Sequence, residues 1–401
     1  MHRYFGRILL GKQMEPVGGG RAFNHSIVLR NFYMKQFIDK YKNTIIQIAT
    51  PYSTGTGFYL KKAGLIVTNE HVVGGNKEVV VEGVLIARQL ATVVYTDPRY
   101  DLAFLRCEVE PVVPSLALSN GEGVAEGDRV TAIGHPFGLK FTATQGIISN
   151  TRHRENDIQY YQHDAALNPG NSGGPLVNEK GEVVGVNTFI IQHSDNLGFS
   201  LPVFYLDRAI RQFAEEGKGR IGGRCQNCLH LVFEDTVEGE FCPHCGTKIK
   251  LPHQEEEYEA AGIPLTIEQI LEKTGHDIKL ARRGPHLWEV LHGSAKIYIT
   301  YYEPNGVIAG DAILCDLPQN NIKEVYEFLL RQNDQLEGLA FSVKGQEIVL
   351  SLIIFDRYLN LKSGMKMFRR LFQKADDYDN ILVERFGCRW KEGSKIGKGS
   401  R

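Results

Sequence analysis

The sequence predicts a multidomain protein: an all-β barrel domain, a small unit held by four cysteines, and a closing α+β domain. Three observations carry this. Short β-branched runs punctuated by Gly, Pro or Asn recur from Thr44 to about Val203, the texture of a barrel or sandwich. Two Cys-x-x-Cys pairs follow, Cys225/Cys228 and Cys242/Cys245. From Ile263 onward, helical and strand patterns are mixed. With 401 residues and roughly 150 residues per domain, two to three domains are expected.

Hydrophobic residues at 42% and charged residues at 23% exclude wholesale disorder. Lys+Arg 46 against Asp+Glu 47 gives a net charge of -1, which disfavours a protein that coats nucleic acid or anionic membrane by bulk charge. No apolar run reaches the roughly 18 residues needed to span a bilayer. The apolar stretch near the N-terminus is broken by Arg7 and stops after three residues (Ile8, Leu9, Leu10), too short for a signal-peptide core. Seven cysteines, an odd number with two clustered pairs, suit a reducing compartment with one metal site. The expected location is therefore cytoplasmic.

In order, residues 1–26 form an N-terminal extension and 27–216 the β-rich domain, opening on a short helix within 27–40 and closing on a helix over 206–216. Its strands are expected at Thr44–Ala49, Gly57–Leu60, Leu65–Thr68, Glu78–Val81, Ala91–Tyr95, Leu102–Cys107, Val130–Ile133, Gly146–Ser149 and Val183–Val186. Residues 217–224 read as a Gly-rich linker, 225–251 as the cysteine unit, 252–262 as a charged joint, 263–390 as the α+β domain and 391–401 as a basic tail. In the α+β domain, Asn305-Gly306 marks a hairpin. Met365, Phe368, Leu371, Phe372, Ala375 and Leu382 form one stripe of a helix from Leu361 to about Phe386.

The most informative stretch is Asp164-Ala-Ala-Leu-Asn-Pro-Gly-Asn-Ser-Gly-Gly-Pro-Leu176. A serine hydroxyl needs a base, donors for a developing oxyanion, and room for substrate. Glycines around Ser172 let the chain turn sharply and leave its Oγ uncovered. The Gly170 and Ser172 N–H groups can then converge beside it. The base should be a histidine. His71 ends Leu65-Ile-Val-Thr-Asn-Glu-His71, a strand running into a turn. The third member must be a carboxylate that fixes the imidazole tautomer. Asp101 opens the buried strand Asp-Leu-Ala-Phe-Leu, whereas Asp97, beside Pro98, reads as a turn residue.

Thr68-Asn-Glu-His-Val-Val73, Asp101-Leu-Ala-Phe-Leu105, Thr144-Gln-Gly-Ile-Ile-Ser149, Gly170-Asn-Ser-Gly-Gly-Pro-Leu176 and Gly198-Phe-Ser-Leu-Pro202 occur in the order seen in HtrA-like, trypsin-fold serine proteases. The resemblance covers about residues 44–214. It implies a double β-barrel with the site in the cleft, His71 as general base, Asp101 as its orienter, Ser172 as nucleophile, and Gly170 and Ser172 as the oxyanion hole. It places the specificity pocket on Leu167, Ile191 and Leu197. All three are aliphatic, so cleavage of polypeptides after small or medium aliphatic residues is expected, with substrate adding as a strand along Asn187–Ile191. Ser200 and Leu201 depart from the family's usual Gly-Phe-Ala-Ile-Pro, and no peptide-binding domain of the family's usual kind follows the protease.

In the cysteine unit thirteen residues (229–241) separate the pairs. Each Cys-x-x-Cys is a turn that presents two thiolates, and two such turns give tetrahedral sulfur coordination suited to one structural Zn2+. The unit resembles a zinc ribbon, with a hairpin of His230–Glu234 and Glu238–Cys242 and a third strand over Thr247–Lys250. Its mixed charges favour a spacer or protein-docking role over nucleic acid. The element order over 263–390, with Leu317-Pro318 before the middle helix, resembles the type III secretion chaperone-like fold, which implies dimerisation and capture of extended polypeptide. The function expected is a serine endopeptidase. The alternative is a latent or inactive protease-fold adaptor that binds polypeptides through its C-terminal domain.

Overall fold

The computed structural model describes residues 39–135, 141–190, 197–237 and 239–390. The helix expected within 27–40, Ile191 and the basic tail fall wholly or largely outside them.

Lys42–Arg401 form one compact unit. Its first part is two closed six-stranded barrels. In the first, β4 (Glu78–Gly83), β1 (Ile45–Ala49), β2 (Thr54–Leu60), β3 (Leu65–Thr68) and β6 (Leu102–Cys107) run from neighbour to neighbour, and β5 (Ile86–Asp97) closes the ring against both β4 and β6. Alternate inward residues fill it: Ile46, Ile48, Tyr59, Ile66, Val79, Val81, Val93 and Leu105. In the second, β8 (Arg129–Gly134), β9 (Thr142–Glu155), β10 (Ile158–His163), β13 (Gly198–Pro202), β12 (Glu182–Ile190) and β11 (Pro175–Asn178) close through the β11–β12 pair. Closure gives every strand of each barrel a neighbour on both sides. β7 (Ala117–Leu118) adds to β12 in parallel. The expected closing helix is α-helical over Val203–Gln212 and widens to a π turn over Phe213–Gly217.

Two expectations for the cysteine region are corrected. The stretch 217–224 is no free linker: Gly222–Arg224 forms β14, which pairs in parallel with Tyr95 and Thr96 of β5. Gly222 and Gly223 permit this, because a Cβ on either would meet backbone oxygens of Val232 or Thr96 at 2.5 or 3.0 Å. The hairpin of His230–Glu234 with Glu238–Cys242 does not form either. Leu231–Phe233 (β15) pairs instead with β14, and Phe241 makes a single bridge to Lys248. The sheet of the first barrel, already at hand, supplies the hydrogen-bond partners that an isolated hairpin would have had to supply itself.

The C-terminal part follows its sequence pattern closely. Six antiparallel strands, β16 (Arg282–Gly284), β17 (Leu287–His292), β18 (Ala295–Tyr302), β19 (Val307–Asp316), β21 (Glu347–Phe355) and β20 (Leu339–Lys344), lie in that spatial order. The long helix over Leu361–Phe386 packs Phe368, Leu371, Phe372, Ala375 and Leu382 into the core. Asn360 caps it, accepting from the Ser363 N–H at 2.9 Å, and Gly387 ends it at φ 68°. Trp288 and Phe341 are buried and Phe328 packs on the same core.

Candidate active site

The first barrel brings two of the sequence-predicted residues together. Its β3–β6 register pairs Thr68 with Ala103, so the end of one strand lies beside the start of the other. His71 follows β3 on a one-turn helix, Glu70–Val73, and Asp101 precedes β6. Val72 anchors that turn on Gly55: a Cβ there would lie 2.5 Å from a Val72 methyl. Asp101 sits at φ 50°, a left-handed conformation that Asp tolerates better than most residues. Its two carboxylate oxygens then accept from the His71 backbone N–H at 3.0 Å and pair with the ring Nδ1 at 2.8 Å. The Asn69 amide donates to the Asp101 carbonyl at 2.7 Å. Burial acts to lower the His71 pKa, but the Asp101 hydrogen bond and charge, with Glu70, outweigh it, and the pKa is raised above the ordinary imidazole value.

The second barrel presents Ser172 on the loop between β10 and β11. That loop is fastened to the first barrel through Thr56, whose N–H donates to the Ser172 carbonyl (2.9 Å) and whose hydroxyl donates to the Gly170 carbonyl (2.6 Å). Gly173 makes the closest approach. A Cβ on it would sit 2.2 Å from both the Thr56 carbonyl and the Thr68 hydroxyl, three residues before His71. Gly170 lies at φ 100°. The N–H groups of Asn171, Gly173 and Gly174 are bonded to Asn168, Asn187 and Asn171 carbonyls. Among the described residues the Gly170 and Ser172 N–H groups have no acceptor. The Ser172 hydroxyl donates to the Thr188 carbonyl on β12 at 3.2 Å, and no hydrogen bond joins it to His71.

The matching family is the trypsin-like peptidase domain, over residues 55–186. These residues lie in an HtrA-like, trypsin-fold serine protease domain. The chain is 34% identical over 254 residues to mouse "Serine protease HTRA4", an alignment covering 61% of this chain and 46% of the relative. It is 37% identical over 199 residues to the "Probable periplasmic serine endoprotease DegP-like" of Chlamydia pneumoniae, covering 47% and 41%. The solved serine endoprotease from Yersinia pestis is 30% identical, with a TM-score of 0.42, 47% of this chain and 69% of that one being covered. The chain spans less than half the length of these two curated relatives. The naming of bacterial relatives as periplasmic overturns the cytoplasmic expectation. Clustered thiols report on a shared site, not on a compartment.

Of the pocket residues, Leu167 is half-buried against the second barrel core and Leu197 is half-buried at the start of β13, whereas Ile191 lies outside the described residues. Sequence reasoning missed Thr56, which ties the barrels, and the buried row His163, Ser200 and Asn187. The substitution at Ser200 was the one signal for that row. It also under-read Asp97. Besides accepting from the Tyr100 N–H at 3.2 Å as a turn residue does, Asp97 is fully buried and pairs with Arg224 at 2.6 Å.

The four cysteines converge on one another. Their sulfurs all lie within 4.8 Å of one another, with Cys225–Cys245 and Cys228–Cys242 both at 3.7 Å. The two turns repeat each other. The Leu229 N–H donates to the Cys225 carbonyl at 3.0 Å and the Gly246 N–H to the Cys242 carbonyl at 2.9 Å. Both donors sit in left-handed conformations, at φ 63° and 70°.

Proposed function

We propose that this chain is an endopeptidase that hydrolyses peptide bonds of polypeptides through an acyl-enzyme on Ser172. The observation that carries the reading is the His71–Asp101 pair facing a Gly-rich serine loop whose Gly170 and Ser172 N–H groups lack acceptors. The Ser172 hydroxyl leaves the Thr188 carbonyl, gives its proton to His71 Nε2, and its oxygen bonds to the scissile carbonyl carbon. The Gly170 and Ser172 N–H groups hold the oxyanion, a contribution of about 2.7–4 kcal/mol per donor. The C–N bond breaks as His71 returns the proton to the leaving amine. Water, deprotonated by His71, then adds to the acyl carbon, and His71 returns that proton to Ser172 Oγ as the ester C–O bond breaks and the acid product leaves. Asp101 keeps the ring oriented and offsets the imidazolium charge throughout. Leu167 and Leu197 give the pocket apolar walls.

A fluorophosphonate probe tests this: it should label the wild type and leave Ser172→Ala unlabelled. A latent, adaptor-like protease fold is the second reading, and the Ser172–Thr188 hydrogen bond favours it. Under that reading the wild type stays unlabelled.

We assign the four cysteines to one structural Zn2+. Zinc–sulfur bonds of about 2.3 Å place tetrahedral ligands about 3.8 Å apart, and the paired sulfurs lie at 3.7 Å. A closed four-thiolate set leaves no open position for catalysis. The cysteine unit and the α+β domain would select substrate or hold a homodimer.

A further inference from the structure

A buried row of polar side chains, His163, Ser200 and Asn187, crosses the second barrel beside the expected wall residue Leu167. His163 on β10 pairs across the sheet with Gly198 on β13, and Gly198 pairs with Ile190 on β12. A side chain on Gly198 would project at His163 and Leu167: its Cβ would lie 2.6 Å from His163 Cε1 and 3.0 Å from both His163 Nδ1 and Leu167 Cδ1. One edge of the imidazole therefore packs directly on Gly198, beside the expected wall residue Leu167.

The rest of the ring is fixed by a chain of hydrogen bonds. The Asn187 amide nitrogen donates to the Ile133 and Pro175 carbonyls (3.4 and 3.3 Å), which turns its Oδ1 toward Ser200. The Ser200 hydroxyl donates to that oxygen at 3.0 Å and meets His163 Nε2 at 3.0 Å. With its proton on Asn187, Ser200 must accept from Nε2–H. Among the described residues His163 Nδ1, then a lone pair, has no hydrogen-bond partner, on a residue only 1% exposed. Burial holds the His163 pKa down to about 4, against the smaller pulls of the Ala165 carbonyl and Asp164, so the ring is neutral near pH 7. An unsatisfied buried acceptor is costly and calls for a partner.

We propose that His163, held by Ser200 and Asn187, is the specificity residue of the S1 pocket and reads a neutral carboxamide, so that cleavage follows glutamine. This rests on the endopeptidase reading and replaces a purely aliphatic preference. The methylene stem of glutamine lies along Leu167 and Leu197, and its amide N–H donates to Nδ1. A carboxylate would face a lone pair and bury its charge unpaired. An aliphatic side chain of equal size leaves the acceptor unsatisfied, and sites built to hydrogen-bond a substrate reject analogues that lack the bond.

The test is a set of internally quenched peptides that differ only in the residue before the scissile bond (Gln, Leu, Val, Ser, Glu, Arg), alongside fluorophosphonate labelling of the same full-length protein. We expect kcat/KM for Gln to exceed that for Leu by roughly tenfold or more. His163→Leu should reverse that ratio. Ser200→Ala, which frees the ring to change tautomer, should narrow it, and it keeps the test decisive should His163→Leu fail to fold. A labelled enzyme that prefers any other residue of the set, or a His163→Leu enzyme that still prefers Gln, overturns the pocket assignment alone. A wild type that is never labelled overturns the protease reading and the pocket with it.

Discussion

Replacing Arg224 by Met isolates the contact between the strand that leads into the cysteine unit and the turn that precedes Asp101. Arg224 is 6% exposed and Asp97 is fully buried, so solvent screens their 2.6 Å pair little. The guanidinium also donates to the Leu229 carbonyl (2.9 Å) and to Gln212 (2.8 Å). Arg224→Met keeps most of the side-chain volume and leaves the Asp97 carboxylate with only the Tyr95 hydroxyl (2.7 Å) and the Tyr100 N–H (3.2 Å). Stranding a buried charge in this way costs about 3–5 kcal/mol. At roughly 2–4 °C per kcal/mol for a domain of this size, the protease domain should melt about 10 °C lower. The double variant Asp97→Asn, Arg224→Met removes the stranded charge and should recover more than half of that loss. Differential scanning calorimetry of the three proteins measures it. A single variant within 1 °C of wild type, or a double variant no better than the single, would show that the pair does not secure the turn.

Asp101→Asn should lower kcat by roughly 10⁴. Because His71 has a raised pKa and must be neutral to act, wild-type kcat/KM should climb with pH through a point above the ordinary imidazole value, and a pH–rate profile of Asp101→Asn should place that limb lower. Gly173→Ala puts a methyl 2.2 Å from two oxygens at φ 83°. It should abolish labelling, and Gly64→Ala, with open space around it at φ 65°, should cost only about 1 kcal/mol in urea unfolding. Elemental analysis should find one zinc per chain, and chelation or Cys225→Ser should open residues 225–251 to limited proteolysis. Proteolysis unchanged by complete metal removal would refute a structural role.

Much of this was legible in the sequence because each local signal agreed with the fold. The β-branched runs became barrel strands, and the stripe from Met365 to Leu382 became the core face of one long helix. His71 and Asp101 were readable because each sits where a buried strand meets a turn. Long-range partner choice was not readable. Nothing in Gly222-Gly-Arg224 signals that it will pair with β5 instead of serving as a linker, since any extended glycine segment satisfies the same local rules. Asp97 looked like a turn residue, and is one, but its pairing partner lies 127 residues away. His163 gave no local sign of its role, because its surroundings come from three separate strands.

The two barrels divide the chemistry unequally. Under the proposed mechanism the base, His71, and its orienter, Asp101, belong to one barrel and to one strand pair, so their 2.8 Å contact needs nothing from the other. The proposed nucleophile, Ser172, and the proposed oxyanion N–H groups belong to the second, and their placement depends on Thr56 and on the missing side chain of Gly173. The uncommitted part is then the Ser172 hydroxyl itself, which rests on Thr188. Thr188 lies on β12 next to Asn187, and Asn187 fixes Ser200 and through it His163. The strand on which substrate would add therefore carries both the acceptor that holds the hydroxyl and the first link of the chain that orients His163. Under the proposed mechanism, filling the pocket and releasing the nucleophile would act on neighbouring residues of that strand, Asn187 and Thr188.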